Sequence, residues 1–391
     1  MPRLIELCEL IVDCEHKTAP TQDTGYPSIR TPNIGKGRLI LDGVNRVSTE
    51  TYKAWTQRQV PKPGDLILAR EAPIGNVAII TPGLEVCLGQ RTVLIRTDRE
   101  KLNPQYLTYL MLGDEIQGKI LSMSNGATVH HLNMKDIREL EMPPILGLAV
   151  QDRIASILSA YDDLIENNTR RIKILEDMAQ MLYREWFVNF RFPGHQKVKM
   201  VESELGRIPQ GWRVGRLDEA VVLQRGFDLP TSQRNPGNVP IIAATGLNGT
   251  HDIAKVKGPG VVTGRSGSLG TVMLVWEDFW PLNTALWAKE FKQSNPIHAY
   301  FTLQALDLKG FNSGAAVPTL NRNDIHGLPT ILSDRETLNS FSECVLPMFA
   351  LKRILESKNA NLRTTRDFLL PKLISGEIPV EAAAELVEET A

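Results

Sequence analysis

The chain carries one sequence plan twice, so its fold must accommodate two copies of a single domain. Asn125-Gly-Ala-Thr-Val-His-His-Leu-Asn-Met-Lys-Asp-Ile137 aligns with Ser313-Gly-Ala-Ala-Val-Pro-Thr-Leu-Asn-Arg-Asn-Asp-Ile325, with seven of thirteen positions identical. Pro63-Gly64 through Arg70, Gly75 and Val77 match Pro259-Gly260 through Arg265, Gly270 and Val272, and Asn103-Pro104 matches Asn295-Pro296. The matches keep their order. The offset between copies shrinks steadily along the chain, as small loop deletions in the second copy would produce. A period near half of the 391 residues indicates a duplicated domain rather than a solenoid.

Each copy closes on a helical stretch. In the first, Ile154, Leu158, Tyr161, Ile165, Asn168, Ile172, Leu175, Ala179, Leu182 and Trp186 recur at alternating steps of four and three, the seam of a coiled coil. The equivalent positions of the second copy are Phe341, Val345, Met348, Lys352, Leu355, Asn359, Leu362, Arg366, Leu369 and Leu373. That seam is mainly apolar, with Lys352 and Arg366 read as weak points. Each seam carries one asparagine, which costs stability but penalises wrong registers. The two helices are expected to pair within the chain; the alternative is that each packs on its own globular half. Pro347 removes a backbone donor and predicts a kink or a late helix start.

Short apolar runs punctuated by Gly and Pro predict strands over 65–69, 77–80, 92–95, 260–263 and 271–275. The expected class is α/β (α+β): two pseudo-symmetric domains separated by a pair of long helices forming an intramolecular coiled coil. The segmentation is a first domain over 1–147, a helical region over 148–192, a second domain over 193–332, a helical region over 333–376 and a frayed acidic tail over 377–391.

Motifs for catalysis are absent. There is no GxxxxGK[ST] phosphate loop, GxSxG elbow or HExxH helix. Gly264 to Gly270 is glycine-rich, but its spacing suits a tight turn between strands better than a nucleotide cradle. Cys8, Cys14, Cys87 and Cys344 form no CxxC pair, and the histidines complete no zinc set, so no metal is expected. No apolar run is long enough to span a membrane, and the polar N-terminal stretch argues against a secretory leader. A cytoplasmic protein is the expectation.

Net charge is −1, which gives no global basic footprint. Basic residues do cluster locally. Arg30, Lys36, Arg38, Arg46, Lys53, Arg58 and Lys62 interleave with Tyr26, Tyr52 and Trp55. Arg225, Arg234, Lys255, Lys257 and Arg265 form the corresponding span of the second copy. Lys and Arg can neutralise phosphates, while Arg, Asn and Ser can read base edges. Candidate DNA contacts are therefore Arg30, Lys36, Arg38, Arg46, Arg58, Arg225, Arg234, Lys255 and Lys257, the repeat-matched Arg70 and Arg265, and the turn residues Asn125, His130, Ser266, Asn312 and Arg322. For Arg70 and Arg265 a structural role at a strand end stands equally open.

With these features laid out, the sequence resembles the specificity subunit of type I restriction-modification systems over nearly its whole length. Gly126 to Ile137, then Met142-Pro-Pro144, Gln151 and Ile154-Ala155, resembles that family's passage from recognition domain into spacer helix. Leu175 to Phe187 followed by Phe190-Arg-Phe-Pro-Gly194 resembles the end of its first helix. Leu205-Gly-Arg-Ile-Pro-Gln-Gly-Trp212 resembles the entry to a second recognition domain. Leu362 to Asp367, Leu369 to Leu373 and Ser375-Gly376 resemble the closing helix. The family's usual glutamine start to the second helix is replaced by Asp334-Arg335. The resemblance implies two target recognition domains on a paired-helix spacer, each reading half of a bipartite, asymmetric site in double-stranded DNA. It implies no catalysis on this chain. Two modification subunits would bring N6-adenine methyltransferase activity and S-adenosylmethionine, and restriction subunits would bring ATP- and Mg-dependent translocation and cleavage. A spacer helix of about 36 residues spans roughly 54 Å, against about 34 Å for one turn of DNA.

Overall fold

The structure, a computed structural model, describes residues 1–124, 131–314 and 317–383. It divides into two compact units, one comprising 1–168 with 357–391 and the other 169–356. The two long helices each contribute one segment to each unit.

In the first unit a four-stranded sheet is built from β1 (Cys8–Asp13), β2 (Leu66–Ala69), β3 (Val77–Ile79) and β4 (Thr92–Thr97), in the order β1-β4-β2-β3 and antiparallel throughout. Alternation along the strands distributes side chains to two apolar layers. Leu66, Leu68, Val93 and Ile95 face one core together with Tyr106 and Leu107 of helix α1 (Pro104–Leu112). Ile67, Ala69 and Leu94 face the other, against Ile29 and Ile34. This explains why the strands read as continuous apolar runs: both faces are covered. A smaller sheet pairs Tyr26–Ile29 antiparallel with Arg46–Val47 and parallel with Cys87–Leu88. Helix α2 (Leu148–Tyr183) begins in this unit.

The second unit repeats the plan. Strands β5 (Val221–Arg225), β6 (Gly260–Gly264), β7 (Val272–Val275) and β8 (Ala285–Phe291) lie in the order β5-β8-β6-β7. The first strand of each sheet carries a bulge at its start, between Cys8 and Leu10 and between Val222 and Leu223. Val239–Ala243 pairs antiparallel with Gly246–His251 and parallel with Trp280–Pro281, repeating the smaller sheet. Helix α3 (Pro296–Ala305) covers the larger one. The shared Asn-Pro dipeptide has a local cause. Asn103 and Asn295 each accept the backbone N–H three residues on, at 3.0 and 2.9 Å, and proline follows where a helix needs no donor.

The long helices pair antiparallel within each unit. In the first unit α2 meets the later part of α4 (Arg335–Ser375), with Asp162 bonded to Arg366 and the Asn168 side-chain amide donating to Asn359 at 3.0 Å. In the second, Glu176 pairs with Lys352 at 2.6 Å and Tyr183 packs edge-on to Phe341. Ile154, Leu158, Tyr161, Asn168, Phe341, Val345, Leu355, Asn359, Leu362 and Leu369 are buried, while Ile165, Ile172, Leu175, Leu182 and Met348 are half-buried. Both sequence alternatives hold together, since Ile154, Leu158 and Tyr161 share one core with Tyr106 of the first globular half.

Three expectations need correction. Lys352 and Arg366 do not weaken the seam, because each meets an acid of α2. Helix α4 does not start late at Pro347. It runs unbroken from Arg335, its first turn fixed by the Asp334 carboxylate, which accepts the Thr337 N–H at 2.8 Å, and by burial of Leu338, Phe341 and Val345. Nor does the tail fray from 377 onward: Ala383 is buried and Glu381 pairs with Arg153 at 2.5 Å. Residues 384–391 lie outside the described residues.

Candidate nucleic-acid interface

In each unit the repeated Leu-Asn motif returns to the end of the second sheet strand and docks on the matching arginine. The Leu132 N–H donates to the Arg70 carbonyl at 3.1 Å, and the Leu320 N–H donates to the Arg265 carbonyl at 2.8 Å. The arginine N–H groups donate to Arg91 at 2.9 Å and Thr284 at 2.8 Å, residues that lead into the last strand of each sheet. The two backbones are therefore superposable in pattern, and the side chains differ.

In the first unit Arg70 is internal. Its guanidinium donates to the Leu132 carbonyl at 2.8 Å and to Asp13 at 2.7 Å, and its side chain is only 14% exposed. Asp13 also meets His16 at 3.0 Å. Asp13, Cys14 and His16 lie close enough to suggest a metal triad. The carboxylate is already neutralised by Arg70, however, and burial pushes the Cys14 thiol up, so the set is poor for a cation. In the second unit Arg225 takes the strand position that Asp13 holds in the first, and among the described residues the Arg265 side chain donates only to the Asn283 carbonyl, at 3.2 Å. Beside it, the Asn312 side chain accepts the Gly314 and Thr319 N–H groups at 3.0 and 2.9 Å, and the Ser266 N–H donates to Thr284 at 3.0 Å. Arg322, itself exposed, opens the short helix Arg322–His326, which buries Ile325. His326 accepts the Leu223 N–H at Nε2, at 3.0 Å, and burial lowers its pKa, so it stands neutral.

The model of the type I restriction modification DNA specificity domain matches residues 3–177. A type I restriction enzyme MjaIX specificity subunit from Methanocaldococcus jannaschii is 27% identical over 369 residues, covering 88% of this chain and 84% of the relative, and so spans both copies of the repeat. A HindI specificity subunit from Haemophilus influenzae is 26% identical over 172 residues, 42% of this chain and 37% of that relative. In fold, the chain resembles the crystal structure of a type I restriction-modification S subunit from M. genitalium, with TM-score 0.62, 15% identity and 95% of each chain covered. Over most of its length the chain is similar to type I specificity subunits, and the DNA specificity domain of that family matches its first copy of the repeat.

The other candidate cations of this chain divide by what already holds them. Arg38 is committed to Asp163 and Glu166 of α2. Arg58 binds Glu15 at 3.2 Å and the Cys14 carbonyl at 3.3 Å, and Arg46 donates to the Gly25 carbonyl at 2.8 Å. Arg225 contacts Asp228 at 3.4 Å, and Arg234 donates to the Asn248 carbonyl at 2.7 Å. Lys255 lies 5.0 Å from the centre of the Trp280 ring. Arg30, Lys36 and Lys257 are exposed. Asn125 and His130 lie outside the described residues. Sequence reading missed the acids that engage these cations, because Asp13, Glu15, Asp163 and Glu166 lie in other elements. It also missed Arg91, held at φ 67° and paired with Glu71 at 3.0 Å. Gly264 to Gly270 is the turn between β6 and β7: a Cβ on Gly264 would sit 1.9 Å from the Ser268 carbonyl oxygen.

Proposed function

We propose that this chain is a specificity subunit that reads double-stranded DNA for a type I restriction-modification complex and performs no chemistry itself. Each unit reads one half of a bipartite, asymmetric site, and the paired helices scaffold two modification subunits and the restriction subunits. S-adenosylmethionine, ATP and Mg belong to those partners. The complex works in the cytoplasm, and among the described residues no helix is long and apolar enough to cross a membrane.

The observation that carries this reading is one strand-end scaffold bearing two different sets of side chains. Arg70 beside Asp13 in one unit is replaced by Arg265 beside Asn283 and Arg225 in the other. A shared backbone with divergent side chains suits two readers of unlike sequences. With a net charge of −1, the isolated chain binds DNA weakly and with steep salt dependence, and partners supply further phosphate contacts. The test is selection from a random duplex library by the chain reconstituted with its modification subunits. Enrichment of an interrupted, non-palindromic motif is expected. Retention of duplexes without sequence preference makes the chain a scaffold and refutes the reading.

A further inference from the structure

The duplication is not symmetric where the helices meet, and the differences follow a pattern. In the first unit the Tyr109 hydroxyl of α1 donates to Asp162 of α2 at 2.6 Å, and Arg366 of α4 closes the group. By the repeat, the corresponding residues in the second unit are Phe301, Phe349 and Ala179, all buried in one apolar core. A polar three-way junction therefore faces an apolar one at the equivalent place. The reverse holds one turn away. Tyr183, Thr302 and His298 form a buried polar chain in the second unit, with 3.2 Å between the first two hydroxyls and 3.4 Å from Thr302 to the imidazole. Its counterparts in the first unit are Leu370, Leu110 and Tyr106.

Charge follows the same logic. In the ion pairs Asp162–Arg366 and Glu176–Lys352, which cross the helix pair, the acid lies on α2 and the base on α4. The head-to-helix contacts invert likewise. Arg38 of the first head bonds Glu166 of α2, while Glu277 of the second head bonds Arg353 of α4, at the position equivalent to Glu166.

We propose that the helix pair is a heterospecific coupling surface: α2 accepts α4 and rejects a second α2, so two copies of this chain can join through their helices only by reciprocal exchange. In the same antiparallel register, two α2 helices would set Asp162 against Ala179 and Glu176 against Ile165, leaving the acids without bases in a half-buried seam. Two α4 helices would set Lys352 against Arg363 and Arg366 against Phe349. Asn168 and Asn359, which now bond each other, would each lose that partner.

Full-length variants test this. One carries D162R with E176K, so that both its helices are basic at these positions. A second carries K352E with R366D, so that both are acidic. A third carries all four changes. The four-change chain is expected to melt within a few degrees of the parent. Each two-change chain should lose roughly 5 °C or more. Co-expressed under different tags, the two-change chains should co-purify one to one, each basic helix taking an acidic partner. If the two-change chains are insoluble alone, the four-change chain still decides. The proposal is overturned if the four-change chain is as unstable as its components, if a two-change chain keeps the parent's melting temperature, or if each two-change chain pairs with itself as readily as with the other.

Discussion

Arg366 is the base of a buried ion pair, and its removal gives a sharp energetic test. In Arg366→Met the packing volume is largely kept, while Asp162, whose side chain is 9% exposed, loses its counter-charge. Breaking a fully buried pair costs about 3–5 kcal/mol because the surviving charge is stranded. Two features lower that figure. Arg366 itself is 18% exposed, so water already screens the pair, and the Tyr109 hydroxyl still donates to the carboxylate. A loss of about 2–3 kcal/mol follows. Adding Asp162→Asn removes the stranded charge and keeps an oxygen acceptor for Tyr109, so the double variant should recover half of the loss or more. The assay is urea unfolding of parent, both single variants and the double, with the first unit followed separately, since two units need not unfold together. A single-variant loss below about 0.5 kcal/mol, or a double variant no more stable than Arg366→Met, refutes the reasoning.

Other perturbations reach the remaining claims. His298 is buried and neutral, with its pKa lowered to about 3 by desolvation, whereas the unfolded chain protonates near 6.5. Its contribution is therefore complete above pH 6.5 and falls by about 1.4 kcal/mol per pH unit from there toward pH 3. His298→Asn should flatten the acid-side stability profile of the second unit by about one proton, and an unchanged slope counts against the assignment. Arg70→Ala strands Asp13 and should destabilise the first unit by about 1–3 kcal/mol. Arg265→Ala should instead leave melting almost unchanged and reduce the salt slope of DNA binding by about one, read in a titration of the reconstituted complex. Gly264→Ala drives a Cβ against the Ser268 carbonyl and should cost about 2–3 kcal/mol by thermal melting, whereas a tolerated substitution would mean the turn is loose.

The repeat and the seam spacing were enough to anticipate the architecture, because both are local patterns with one geometric solution. Five short apolar runs became sheet strands since both their faces are covered, and the Asn-Pro pairs became helix starts because that dipeptide satisfies the first turn by itself. What remained illegible depends on partners distant in sequence. Lys352 and Arg366 looked like flaws until Glu176 and Asp162 were brought opposite them. Arg38 and Arg58 read as candidate DNA contacts and Arg70 as either a contact or a structural strand-end residue, yet each lies against an acid from another element. The smaller sheets, with strands of two residues such as Arg46–Val47 and Trp280–Pro281, are too short to leave a period. The reach of Asp334 to the Trp212 indole at 2.8 Å crosses most of the second domain and leaves no mark in either local sequence.

The central claim is that one chain holds two readers of unlike half-sites. Its most direct test is genome-wide mapping of N6-methyladenine in cells carrying this chain with its modification subunits, compared with cells in which Arg225, Arg265 and Arg322 are replaced by alanine. The account predicts an interrupted, non-palindromic motif in the first case and relaxation of one half only in the second. A palindromic or uninterrupted motif, or equal relaxation of both halves, would contradict it.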